Sequence, residues 1–498
     1  MGIGAALFLG VSVASRLLAL LSLAVLGRLL APEAFGLVAY AAAAAALLTA
    51  AIDLHFDQSI VREAEIRQAR IDTVFTLRLL FAGLIAAGLF AAAAPLAAWL
   101  EAPALEPVLR AMCVLALASG LFNPRFVLLE RDLAFGRVAA VEVGAQLAST
   151  VLAIGLAWIT RSHWAAVAGM IAASFARTAL SWTLVRGPVR LGLAEWRDCL
   201  RFSAWLVAMG LLTVANGQAN RIITGAVLGL AVLGRFRLGA ELALSAVYFV
   251  QRPMTRVAYP GLAAARAQGR GLGEAFLRFQ GVLMLAIVPT AVSVCVAAPW
   301  IVRVLVGEPW AEAVLALRVL ALLPIVQCLT AGTNSLMLVD GRTWLSFGRQ
   351  AVVFALSVPL LWLGGRQAGL AGILAATAAT AAISVALTLA LLLPVAGLSP
   401  RRFLAAVWPA LAGGAAGLAA GALVAASLPD AASLGLAGAL AAGGAAGGAA
   451  GAACLAVVGA VWWAAGRPEG AEAVLVEGAG ALWRRARRRG GRGRGTGG

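Results

Sequence analysis

Residues 79–100 read LLFAGLIAAGLFAAAAPLAAWL, an apolar run without a single charged side chain. A helix rises 1.5 Å per residue, so about 20 such positions cross the ~30 Å hydrocarbon core of a bilayer. The run does not alternate every second residue, which favours a helix over a strand of a membrane barrel. Runs of similar length recur on both sides. They place helices near 3–27, 34–54, 74–100, 107–128, 136–160, 164–185, 202–230, 236–257, 275–306, 312–338, 347–364, 369–393, 403–426 and 433–464. The composition agrees: 62% of residues are hydrophobic, 12% are charged and mean hydropathy is +0.94. A soluble chain carries about a quarter charged residues. The expected fold is therefore an all-α integral membrane protein of about 14 spans, with no soluble domain large enough to work alone.

The charges fix a register. All 39 basic residues are Arg, against 22 acids, for a formal net charge of +17. One set of loops holds Arg62, Arg67 and Arg70; Arg131; Arg186, Arg190, Arg197 and Arg201; Arg256, Arg266 and Arg270; Arg342; and Arg401 and Arg402. The alternate loops are short and Arg-poor, with Arg28, Arg161, Arg235 and Arg366 the exceptions. By the positive-inside rule the first set is cytoplasmic, and both termini lie on that side. Beyond Trp463, residues 466–498 form a basic tail expected to be disordered, with Arg484 to Arg494 placed to attract anionic lipid. No folded module accompanies it, so nucleic-acid binding is not expected. The N-terminus has no basic n-region and its apolar run continues to Gly27, so it reads as a first span rather than a cleaved signal.

The segment Gly27-Arg-Leu-Leu-Ala-Pro-Glu-Ala-Phe-Gly36 has a counterpart at Gly225-Ala-Val-Leu-Gly-Leu-Ala-Val-Leu-Gly234. Each joins two spans, the first helices 1 and 2, the second helices 7 and 8. An offset of six helices preserves orientation and implies a parallel repeat about an axis along the membrane normal. The expected domains are an N-terminal lobe (1–190, helices 1–6), a C-terminal lobe (200–395, helices 7–12), appended helices 13 and 14 (403–465) and the tail. Transport folds use the seam between two such lobes.

The stretch Arg28-Leu-Leu-Ala-Pro-Glu-Ala-Phe-Gly36-Leu, preceded by Ser15-Arg16 and followed by Asp53, resembles the polysaccharide transporter family. These are the O-antigen-type and colanic-acid-type flippases of the multidrug/oligosaccharidyl-lipid/polysaccharide exporter superfamily. Asn220 through Leu228-Gly229 and Leu233-Gly234 looks like that family's second-half counterpart, and Pro253 through Arg256 to Tyr259-Pro260 continues the likeness. The resemblance covers roughly residues 10–390. It implies a flippase for polyprenyl-diphosphate-linked oligosaccharide, with two six-helix lobes around a cationic cavity. The chain departs from the pattern at Gln218 to Asn220, where the family usually carries an acid. That argues against ion coupling at this position. Helices 13 and 14 carry no recognisable family motif.

Ionisable groups at mid-membrane depth cost ~2.5–3.5 kcal/mol each on insertion scales, so each needs a reason. The candidates for substrate binding are Arg16, Arg177 (between Ser174 and Ser181), Arg221 with Asn216 and Asn220, and Arg252 nearer a helix end. A guanidinium suits a diphosphate because it is planar, permanently charged and bonds oxygens in pairs. Asp53, Glu142 (one turn before Gln146) and Glu241 (one turn before Ser245) are candidate coupling groups or counter-ions. The competing structural roles are Arg–acid pairs that lock helices and side chains that snorkel to an interface. Arg78, Arg110, Arg303 and Arg318 lie within reach of helix ends and fit those roles better.

Enzyme signals are weak. Without Lys there is no Walker A lysine. His55 and His163 lack the partners a metal site needs, and no cofactor is implied. The cysteines Cys113, Cys199, Cys295, Cys328 and Cys454 are scattered and odd in number, against a disulfide framework. The glycine runs from Gly413 to Gly451 match small-xxx-small helix packing. The leading expectation is a multi-pass flippase of a bacterial inner membrane, working beside polysaccharide polymerases or glycosyltransferases. The alternatives are a drug or metabolite antiporter of the same superfamily and a membrane-embedded polysaccharide polymerase or ligase.

The charge register makes a direct prediction. A cysteine in the Arg-rich loop that ends at Arg201, such as the natural Cys199, should escape a membrane-impermeant thiol reagent in intact cells and meet it in inverted vesicles. Labelling from outside intact cells would reverse the orientation.

Overall fold

The structure is a computed structural model that describes residues 2–53, 67–132, 134–267, 272–330, 343–395 and 398–464; along several helical stretches, 201–209 and 248–267 among them, only the backbone is described. The described residues are helical throughout, without a strand. Helices α1 (Gly2–Leu29) and α2 (Pro32–Asp53) precede α3 (Gln68–Trp99), α4 (Leu105–Gly120) and the short α5 (Phe126–Arg131). Then follow α6 (Phe135–Thr160), α7 (Trp164–Leu184), α8 (Trp196–Ala267), α9 (Leu272–Leu305), α10 (Ala313–Cys328), α11 (Thr343–Val395), α12 (Pro400–Ser427) and α13 (Leu436–Ala464). Nine helices among the described residues are long and apolar enough to cross a membrane.

Two of these runs are too long for one crossing. α8 has 72 residues and α11 has 53. Each is broken where the sequence places an inter-helix turn. In α8 the break is Gly229 (φ 81°), and in α11 it is Ala368 with Gly369 (φ 57°). Positive φ costs glycine little, so the chain reverses there without strain. The limbs of α11 close tightly, because a Cβ on Gly372 would stand 1.8 Å from the Gly364 carbonyl oxygen. Counted by their limbs, these helices follow the expected order of spans. One difference is helix 4, which stops at Gly120 and resumes as α5 after a turn capped by the buried Asn123. The end of helix 10, from residue 331, and the basic tail lie outside the described residues.

The chain forms two compact units. The first comprises Met1–Ser245, Leu305–Ala316 and Gln350–Thr380. At its centre the two matched turns of the sequence meet. A Cβ on Gly36 would lie 2.1 Å from the Leu230 carbonyl oxygen, and one on Gly234 would lie 2.0 Å from that of Pro32. The contacts are reciprocal, since Pro32 precedes Gly36 by the interval that separates Leu230 from Gly234. Trp310 seals the neighbouring edge: fully buried, it donates Nε1–H to the Gly27 carbonyl at 2.8 Å and meets Phe35 edge-on.

The second unit comprises Ala246–Val304, Leu317–Arg349 and Ala381–Gly498. Here α12 and α13 pack on α9 through small residues. Gly413 and Gly417 sit against the Cys454 and Ala450 carbonyls, Gly414 and Gly421 receive Val288 and Val296, and Gly447 and Gly451 lie on Ser293. Without a hydrophobic drive between helices in lipid, this close backbone approach supplies the association energy.

The structure revises the choice of topology reporter. Cys199 is fully buried, with its sulfur 3.8 Å from Arg70 Nη1. Burial pushes its thiol up, outweighing the opposing pull of Arg70. The exposed Arg401, changed to Cys, is a suitable reporter in another loop of the Arg-rich set. For the turn contact, Gly36→Ala or Gly234→Ala should destabilise the protein by about 1–3 kcal/mol, the usual cost of overpacking. Gly448→Ala, which meets nothing within 4 Å, should be neutral. Thermal melts in detergent check both.

Candidate functional site

The meeting of the two turns sets α1 beside the second limb of α8 within the first unit. Arg16 points from the middle of α1 and donates to Ser245 Oγ at 2.6 Å and to the Glu241 carbonyl at 3.4 Å. Its guanidinium is 3.9 Å from the Glu241 carboxylate. Arg221, on the other limb, reaches the same carboxylate at 3.1 Å and also Gln218 Oε1 at 3.1 Å. Glu241 thus stands between two arginines that are far apart in sequence.

A third arginine joins them. Arg237 lies one turn before Glu241 and shares with it, Arg16 and Ser245 the lining of a cavity of about 190 Å³. Gln146 and Ser149 of α6 supply further polar walls, and Leu26, Phe35 and Met170 supply apolar ones. The Arg237 guanidinium carbon is 5.9 Å from the Phe35 ring centroid, a cation–π contact. Its Nε and Nη1 are buried and make no hydrogen bond among the described residues. Three permanent cations around one carboxylate leave the cluster positively charged, in surroundings of low dielectric where charge is strongly felt. Such a site can take up an anion of roughly phosphate size in this conformation. It is smaller than the ~300–1,000 Å³ typical of pockets that enclose a whole drug-sized ligand.

The other candidates are distributed differently. Arg177 pairs with Glu142 across α7 and α6, its Nε 3.1 Å from the carboxylate, and both side chains are nearly half exposed. Ser174 and Ser181 do not assist it. They face the α4 side, bonding the Leu115 carbonyl and the Asn123 backbone N–H. Asn216 donates to the Gln350 carbonyl at 3.1 Å, and Asn220 Oδ1 accepts from Thr377 at 2.9 Å. Both asparagines therefore tether α8 to α11 instead of joining Arg221. The side chains of Asp53 and Arg252 lie outside the described residues. Arg237 is the residue the sequence reading leaves out. Its signal was available: it precedes Glu241 by four positions and so shares its helix face.

No cluster of His, Cys, Asp and Glu that could hold a metal occurs among the described residues.

Residues 25–315 match the family model described as polysaccharide biosynthesis protein. Lipopolysaccharide biosynthesis protein WzxC of Escherichia coli K12 is 22% identical over 396 residues, covering 78% of this chain and 80% of the relative. Teichuronic acid biosynthesis protein TuaB of Bacillus subtilis 168 is 20% identical over 301 residues, 59% of this chain and 62% of its own. Among solved structures, lipid II flippase MurJ in an inward closed conformation superposes with a TM-score of 0.72, at 12% identity, over 92% of this chain and 98% of MurJ. An inward-facing multidrug resistance MATE family transporter of the MOP superfamily gives 0.59, at 13% identity, over 82% of this chain and 98% of that one. The chain shares the fold of these MurJ and MATE structures. The resemblance read from the Arg28–Gly36 stretch is borne out, as is the all-α membrane fold.

The cavity separates structural arginines from available ones. Arg221→Leu removes the closest partner of a part-buried carboxylate and should cost about 3 kcal/mol. Arg237→Leu removes an under-bonded guanidinium and should cost less than 1 kcal/mol or stabilise. Melting temperatures of the two variants in detergent test the distinction.

Proposed function

The chain belongs to the polysaccharide biosynthesis protein family, and from that premise we propose that it is a flippase for polyprenyl-diphosphate-linked oligosaccharide. The observation that carries this reading is the intramembrane cluster of Arg16, Arg221 and Arg237 around the single carboxylate of Glu241. A diphosphate leaving water must find basic groups, or its desolvation is prohibitive. The fork of a guanidinium meets phosphate oxygens in pairs, and Arg237 has donors to spare. Glu241 acts as a resident counter-ion. It neutralises part of the cluster when the site is empty and yields its arginines when the diphosphate arrives. Displacing it makes binding reversible, which a carrier needs more than it needs affinity.

Two six-helix lobes, 1–190 and 200–395, would rock about the repeat axis and expose the site to each side in turn. The reciprocal contact of the matched turns supports such a repeat. Arg177 with Glu142 would bind a more distal part of the headgroup or serve as an exchangeable pair. Asn216, Asn220, Arg252 and Asp53 complete the expected lining. The protein would sit in the bacterial cell membrane with both termini cytoplasmic. There its basic tail would meet anionic lipid, and polysaccharide polymerases or glycosyltransferases would share its substrate. A drug antiporter on the same fold is disfavoured, because a cavity of net positive charge repels organic cations. A polymerase or ligase is disfavoured for want of an external loop that could carry catalytic acids.

The test is purified protein in liposomes with a fluorescent polyprenyl-diphosphate glycan, scored by accessibility to an external quencher. Protein-dependent exchange between leaflets is expected. Arg16→Ala and Arg237→Ala should each slow it by roughly a hundredfold, about 2.7 kcal/mol of lost charge-assisted bonding. Lys at either position should restore only part, since it keeps the charge and loses the fork. No exchange with either leaflet loaded, with or without an ion gradient, refutes the flippase reading.

A further inference from the structure

The segment that joins α7 to α8, residues 185–195, is bonded along its length to the first turns of α3. Asp72 Oδ1 accepts the Arg190 backbone N–H at 2.9 Å, Thr76 Oγ1 that of Gly192 at 2.9 Å, and Thr73 Oγ1 that of Glu195 at 3.2 Å. The Pro188 carbonyl accepts from Gln68 at 2.9 Å and from Arg125 at 3.1 Å. Glu195 turns inward and pairs with Arg67 at 2.8 Å and the buried Arg70 at 2.5 Å. These bonds use the polar backbone on the inner side. Outward, the same segment and the start of α8 present Leu191 (70% exposed), Leu193 and Trp196 among the exposed Arg186, Arg190 and Arg197. Arg197 lies over the Trp196 ring, 5.3 Å from its centroid. Asp198 is the one exposed acid beside them, so the outer face is net positive.

Depth decides what this face meets. The charge-free run 79–100 accounts for the ~30 Å of hydrocarbon on α3. The turns at 68–76, which hold the strap, then fall in and just beyond the headgroup layer. Apolar side chains interleaved with arginine at that depth have the chemistry of an interfacial anchor. We infer that residues 186–197 form a rigid foot that binds anionic phospholipid headgroups, with Leu191, Leu193 and Trp196 set into the acyl boundary. The foot sits on the connection between the two halves of the sequence repeat. It therefore fixes the first unit to the bilayer surface at this connection. This site is separate from the basic tail and independent of the flippase reading.

The full chain carrying Leu191→Cys, labelled with an environment-sensitive fluorophore, tests this in nanodiscs; unlabelled background from native thiols is set by the wild type. Quenching by lipid spin-labelled near the headgroup is expected. Spin-labelled phosphatidylglycerol should quench more strongly than spin-labelled phosphatidylcholine. In Arg186→Gln/Arg190→Gln/Arg197→Gln that preference should fall roughly a hundredfold, about what three basic residues near an anionic surface carry. Should the triple variant fail to fold, Arg190→Gln alone should lower the preference with unchanged melting. A water-like emission spectrum without quenching in either lipid overturns the proposal. Equal quenching by the two lipids removes headgroup recognition and overturns it as well. So does a shift that appears only when a membrane-protein fraction is added, which would make the foot a protein-docking surface.

Discussion

Two backbone contacts without side chains hold the first unit in register. Gly36 lies on the Leu230 carbonyl and Gly234 on that of Pro32, at distances where any Cβ would collide. Because the two turns meet this closely, α1 is drawn against the second limb of α8. Arg16 of α1 and Arg221 of the first limb are thereby brought to the one carboxylate of Glu241 on the second limb. A methyl group at either glycine would push these elements apart and open the salt-bridge cluster before it touched any charged residue. The functional chemistry therefore rests on packing that carries no chemistry of its own.

Charge placement follows a second economy. Where an arginine and an acid are matched, as in Arg177 with Glu142 or Arg235 with Glu312, the pair can lock neighbouring elements and needs no ligand. The cavity breaks that parity: Arg16 and Arg237 line it with the one carboxylate of Glu241, which Arg221 also contacts from outside the lining. A part-buried excess of cations is unfavourable in an empty site, and the fold tolerates it only with help. Ser245, Gln218 and the Phe35 ring supply dipoles and a π-face toward the arginines. These partners hold the positive charge without cancelling it, so the site keeps its attraction for an anion.

Much of this was legible in the sequence because membranes impose strong rules. Long apolar runs gave the spans, and the helix breaks at Gly229 and Gly369 fall where the turns were placed. Arg16, Arg221 and Glu241 stood out because charge at mid-depth is rare. What periodicity conveys is which residues share a face; it says nothing of which helix that face meets. Asn216 and Asn220 were grouped with Arg221 for that reason, yet they bond the α11 limbs. Ser174 and Ser181 were grouped with Arg177 and face α4 instead. Arg237 was not singled out, because the sequence does not say what covers a residue's face; in the fold its guanidinium lies over the Phe35 ring.

The single carboxylate also bounds how the site can turn over. If the arginines faced no internal anion, a diphosphate would bind tightly and leave slowly, and a carrier would stall loaded. If every arginine had its own acid, nothing would bind. Glu241 shared between Arg16 and Arg221, with Arg237 uncommitted, lies between these limits. On the flippase reading proposed above, the incoming anion would first engage Arg237 and then compete with Glu241 for its partners, and on departure the carboxylate would close back on them. Release would thus be assisted from inside the protein, and the direction of net movement would be left to whatever consumes the product on the far side.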